Sequence, residues 1–157
     1  MANAIKITDY VYSCGVVCFA EMQDGDSWQW TSDIIEKCYN CYMLTGTLIM
    51  SRSSDPDFVP YECGVTGQFS RGDVLDDTQV AKGYTSWICI SKLPNKQDRN
   101  FELQKVENSY TLSSGTGFIL LEGSVSVNGI DANQFQYFRP RDTDVEVTGT
   151  ATLALVT

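Results

Sequence analysis

The last quarter of the chain, residues 117–156, constrains the fold most. Its apolar residues come in short runs at 118–122 and 125–127, and the second run is closed by Asn128 and Gly129. That dipeptide is a strong hairpin signal, because a tight two-residue turn needs positive φ at both central positions and these two residues tolerate it. Beyond it Phe135, Tyr137, Val145 and Val147 alternate with polar residues, Thr148 and Gly149 read as a turn, and 151–156 reads as a closing strand. Such a segment pairs as antiparallel strands.

The same spacing extends back to the N-terminus. Residues 4–8 and 10–12 alternate and lead into 14–19, Asp24-Gly25-Asp26 reads as a turn, and Trp28 and Trp30 share one face of a strand. Further short apolar runs fall at 47–50, 61–69, 84–91, 101–106 and 110–112. Turn signals between them favour an all-β barrel or sandwich, mostly antiparallel, over a parallel α/β sheet. One short helix at most is expected. Asp33 and Glu36 have capping-box spacing, Ile34, Cys38, Cys41 and Tyr42 follow at helical intervals, and Gly46 would stop the helix.

With 157 residues the chain is expected to form a single β-rich domain, 1–157. A shift in charge suggests a subdivision into an N-terminal interaction region, 1–80, and a barrel region, 81–157. The net charge is −9, and nearly all of the acidic excess lies in the first half. An acidic surface disfavours direct binding to a phosphate backbone, which needs clustered cations, so no nucleic-acid partner is expected. No stretch approaches the roughly 20 apolar residues of a membrane span, and the N-terminus lacks the pattern of an export signal. The six cysteines are therefore expected as reduced thiols of a cytosol-like compartment.

There is no histidine anywhere in the chain. That removes Ser-His-Asp and Cys-His arrangements, the two-histidine-one-carboxylate iron site, and any side chain that titrates unperturbed near neutrality. No catalytic residue and no cofactor site is assigned. One metal-ligand pattern remains: Cys14 with Cys18 and Cys38 with Cys41 supply four thiols, the composition of a tetrahedral zinc site. The residues around Cys14 and Cys18 are as apolar as a buried strand, so core thiols outweigh zinc. Large aromatics carry a similar choice between core and contact surface. Trp28, Trp30, Phe58 and Tyr61, all in the acidic half, are the interface candidates.

The order of pieces in residues 108–157 resembles the cupin-like jelly roll: a strand ending in Leu120-Leu121-Glu122-Gly123, a partner ending in Asn128-Gly129, a strand running into Arg139-Pro140, and two final strands. Metal-dependent members of that family use histidines and a glutamate inside the barrel. Glu122 matches that glutamate only loosely, and without histidine the resemblance implies the shape and not the metal.

Three functions follow. By composition and fold class the chain resembles decoration, cement, tail or fibre components of tailed-phage virions, which implies a non-enzymatic homo-oligomer contacting other virion proteins after assembly in the host cytoplasm. The alternative is a cupin-like binder of a small molecule or carbohydrate, which needs polar groups pointing inward among apolar strand faces. For that reading Tyr137, Arg139 and Arg141 form the suggestive cluster, against a rim salt bridge to Asp142 or Asp144. An enzyme working through two carboxylates is the third, with no pair singled out.

Overall fold

The computed structural model describes residues 5–29, 40–52, 54–65, 67–70, 77–92 and 100–157. Every element among them is a strand. The first compact unit, Met1–Leu93, carries β1 (Ile5–Tyr12), β2 (Gly15–Met22), β3 (Ser27–Gln29), β4 (Asn40–Arg52), β5 (Tyr61–Gly64), β6 (Gln68–Ser70) and β7 (Asp77–Lys92). The second, Pro94–Thr157, carries β8 (Phe101–Leu112), β9 (Gly117–Val127), β10 (Ile130–Asp131), β11 (Tyr137–Phe138) and β12 (Val145–Val156). Each unit is built on its own antiparallel sheet, as expected for an all-β jelly roll. The boundary between the two units falls after Leu93.

In the first sheet the order is β1-β2-β7-β4-β5, with β3 also on β7 and β6 also on β4. β1 and β2 form a hairpin closed by Ser13 and Cys14, in register from Ile5↔Met22 to Tyr12↔Gly15. The two longest strands, β4 and β7, form the centre, and their register shifts twice between Met43 and Thr47. Gly46 sits at this irregularity with φ +79°, where an added Cβ would lie 2.6 Å from Thr85 Oγ1 and 2.9 Å from Thr85 Cα. Only glycine allows the two backbones to approach that closely.

β4 replaces the predicted helix over its described part. Cys41, Tyr42, Met43 and Leu44 are all buried, so this strand is covered on both faces and reads in sequence as an unbroken apolar run. Such a run does not distinguish strand from helix by period. The proposed cap at Asp33 and Glu36, together with Ile34 and Cys38, lies outside the described residues.

In the second sheet the order is β10-β9-β12-β8, with β11 on β9. Asn128 (φ 53°) and Gly129 (φ 77°) form the two-residue turn between β9 and β10, pairing Ile130 with Val127 as the sequence predicts. Two other expected turns are absent. Glu122 and Gly123 lie within β9, and Thr148 and Gly149 lie within β12. Gly123 has φ +90° beside a register shift of β9 on β12, and a Cβ there would lie 2.7 Å from Ala151 Cα. The strand therefore runs on through Gly123 and is bulged at Leu121, which has no partner on β12, in place of ending in a turn. The runs at 101–106 and 110–112 are likewise one strand, β8.

Each unit has its own core. In the first it includes Met22, Trp28, Cys41, Leu48, Met50 and Trp87, and in the second Leu112, Phe118, Leu120, Val147 and Leu153.

Candidate ligand-binding site

β7 organises the first unit because it is paired on both sides, with β4 along one edge and with β3 and then β2 along the other. Residues two apart on a strand share a face. Asp77, Gln79 and Ala81 therefore project together, and Ala81 belongs to the apolar core cluster. Across β4 their register partners are Arg52, Met50 and Leu48. Across β3 the partner of Gln79 is Trp28. An apolar core face thus runs at one end into a polar row.

Gln79 and Asp77 are both fully buried, at 0% exposure. The Gln79 amide reaches Met50 Sδ through Nε2 at 3.9 Å, a weak contact, and among the described residues its Oε1 accepts no hydrogen bond. The indole Nε1 of Trp28, opposite it, is buried and donates none among the described residues. Native interiors pair nearly all such atoms, and leaving one unpaired costs about 1–3 kcal/mol. Here a donor and an acceptor are left unsatisfied at facing positions of neighbouring strands. Thr85, also fully buried, shows the ordinary arrangement: its hydroxyl lies 3.2 Å from the Thr47 carbonyl oxygen and 3.1 Å from that of Gly83.

Charge at this end is balanced. Arg52 Nε stands 3.5 Å from Asp77 Oδ1, too long for a good hydrogen bond but close enough for an ion pair. The guanidinium also lies over the Phe58 ring, 5.3 Å from its centroid, and Phe58 meets Tyr61 edge-on at 5.9 Å. Arg52 thereby joins the buried carboxylate to an aromatic surface. The turn that brings Phe58 back over Arg52 is held by Asp55, whose side chain accepts from the Asp57 amide at 3.0 Å and whose carbonyl accepts from the Phe58 amide at 3.2 Å.

The residues singled out from sequence fall as follows. Trp28 is in the core and is not an exposed contact residue; Phe58 is half-buried and Tyr61 is exposed. Trp30 lies outside the described residues. Cys41 is disulfide-bonded to Cys89, which corrects the expectation of six reduced thiols and takes Cys41 out of the four-thiol zinc set. Cys38, the remaining member beside Cys14 and Cys18, lies outside the described residues. Among the described residues no three Cys, Asp or Glu side chains are grouped so as to hold a metal ion. Arg139 and Arg141 are exposed, and neither takes part in an ion pair with Asp142 or Asp144 among the described residues. Asp144 instead accepts a hydrogen bond from the Ser114 amide at 2.9 Å. Glu122 is half-buried and lines an open cleft of about 290 Å³ on the second unit, with Lys105, Glu107 and Thr152.

Arg52, Asp77 and Gln79 were not found from sequence. In the segment Thr78-Gln79-Val80-Ala81 the alternation suggests Val80 as the inward residue, yet Val80 is only half-buried and Gln79 is enclosed. The polar residues occupy the face that the pattern assigns to apolar ones.

Comparison with one solved structure, that of HutD, supports the all-β architecture. HutD from Pseudomonas fluorescens (formate condition) matches with TM-score 0.54 at 12% identity, covering 98% of each chain. A conserved protein of unknown function from Pseudomonas aeruginosa gives TM-score 0.49 at 10% identity over 98% of this chain and 87% of its own. A cupin 2 conserved barrel domain protein from Leptotrichia buccalis gives 0.44 at 9% identity over 99% and 90%. No protein-family model and no curated protein matches the sequence. The fold of the described residues is all-β, with two antiparallel sheets, and resembles a cupin-like jelly roll or sandwich.

Proposed function

We propose that this chain is a cupin-like small-molecule-binding module, without a catalytic role, and that its ligand is held on the core face of the first unit between Gln79 and Trp28. The observation that carries the reading is the facing pair of unsatisfied atoms, Gln79 Oε1 and Trp28 Nε1. A binding site of this kind is a mostly apolar wall with a few placed polar groups. Met50, Leu48 and Trp28 supply the wall, and Gln79 supplies an inward polar group of the kind that the cupin-like reading requires.

The chemistry of the pair points to one class of ligand. An acceptor on Gln79 and a donor on Trp28 are complemented by a molecule with adjacent N–H and C=O groups, such as a small amide, lactam or urea. Because Asp77 already faces Arg52, the ligand needs no net charge. Aromatic rings at Phe58 and Tyr61 offer a surface for an apolar substituent.

The other expectation, a virion component acting through protein contacts, rested on composition and fold class. Of its four interface candidates, Trp28 belongs to the core.

The test is a nuclear magnetic resonance titration of the 15N-labelled full chain with a panel of small amides and lactams. The Trp28 indole N–H signal, assigned through Trp28→Phe, is expected to shift saturably with at least one compound, together with the Gln79 side-chain amide. Shifts confined to other residues, or none across the panel, would refute the assignment.

A further inference from the structure

Three cysteines stand in one row of the first sheet. Cys89 on β7 is the register partner of Cys41 on β4 and also of Cys18 on β2. Opposed residues of antiparallel neighbours project from the same face, on strands about 4.8 Å apart. The packing agrees: Cys41 and Cys89 belong to the buried core cluster and Cys18 packs against it. Cys41 and Cys89 are bonded, while Cys18 takes part in no disulfide and is the only one of the three that is not fully buried.

We propose that Cys18, Cys89 and Cys41 form a thiol–disulfide exchange site, in which the bond to Cys89 passes between its two neighbours. Exchange requires a thiolate to approach one sulfur of a disulfide from the side opposite the leaving sulfur. The sheet supplies this order, because the row runs across the strands with Cys89 in the middle. Cys18 loses its proton, its thiolate attacks Cys89 Sγ, the Cys89–Cys41 bond breaks, and Cys41 leaves as a thiolate that takes up a proton. One S–S bond is lost and one is formed, so no oxidant or reductant is consumed. The cross-link thereby moves from the β4–β7 pair to the β2–β7 pair. Cys18, at the accessible end, is also the point at which a small external thiol enters the row.

The proposal is separate from ligand binding and is tested on the full-length wild-type chain. The protein is equilibrated in a glutathione redox buffer from both reduced and oxidised starting material, quenched in acid, alkylated, digested without reduction and mapped by mass spectrometry. Cross-linked peptides Cys41–Cys89 and Cys18–Cys89 are both expected, in the same ratio from either direction, with Cys18 and Cys41 alkylated in complementary fractions. In Cys41→Ala the bond is expected entirely at Cys18–Cys89, and Cys89→Ala should lose both cross-links. A wild-type map with Cys41–Cys89 alone, with no cross-link at all, or with Cys18 or Cys89 joined to Cys14, Cys38 or Cys63 would overturn the proposal. The wild-type map decides the question even if a variant does not fold.

Discussion

Trp28 and Gln79 face each other across β3 and β7, and each buries a polar atom that no described residue satisfies. A folded chain keeps such a pair at a cost, so removing the polarity should help stability and harm binding. Gln79→Leu is expected to be neutral or to raise unfolding free energy by about 1 kcal/mol, measured by urea denaturation, while abolishing the ligand-induced shift of the Trp28 indole. A clear loss of stability would mean that Gln79 is satisfied in solution and that the pair is structural.

Arg52 holds the buried carboxylate of Asp77 from a partly exposed position. Truncation leaves a buried charge without that partner, but solvent reaches the arginine and screens the loss. The expected cost of Arg52→Ala lies between the surface and buried limits, at about 2 kcal/mol. In a double-mutant cycle with Asp77→Asn, a coupling indistinguishable from zero would show that the two side chains do not act together.

Gly123 and Gly25 both have positive φ, but only Gly123 has backbone in the way of a side chain. Around Gly25 nothing lies within 4 Å of an added Cβ. Gly25→Ala should therefore cost only the conformational penalty of about 1 kcal/mol. Gly123→Ala should cost more, at least about 3 kcal/mol, because Ala151 must also move. Equal losses of thermal stability in the two variants would contradict the steric account of Gly123.

Burial pushes the Cys63 thiol up from its ordinary value, so the folded chain keeps that proton to higher pH than the unfolded chain. From about pH 8.5 upward the unfolded state binds fewer protons, and stability should fall until the folded thiol ionises as well. Tyr12 is raised in the same sense, first by burial and then by Tyr10 and Cys14. A second decline should therefore begin near pH ~10. Neither group contributes a slope at neutral pH. Urea unfolding at about pH 7.5, 9 and 10.5 checks this, and Cys63→Ala should flatten the first decline and leave the second.

The sequence was legible where local chemistry decides the backbone. Asn128 and Gly129 make the turn because few other residues take both positive φ values, and β1 follows from alternation alone. It was misleading where the environment decides. Glycine at positions 123 and 149 has the same appearance whether it ends a strand or lies within one, and a strand buried on both faces, such as β4, loses its period of two. The candidate site was the least legible part. Register between β3, β4 and β7 brings Trp28, Arg52 and Gln79 together from positions far apart in the chain, and no local pattern encodes that pairing. The disulfide was hidden for the same reason, since Cys41 and Cys89 are separated by 48 residues.

β7 is hydrogen-bonded along both edges, with the polar pair near its beginning and the thiol row near its end. Fraying from an edge strand cannot reach its amides, which exchange with solvent only when the whole first unit opens. The two sites thus share one kinetic fate: neither can be lost by local breathing, and denaturant or heat should erase both in a single step.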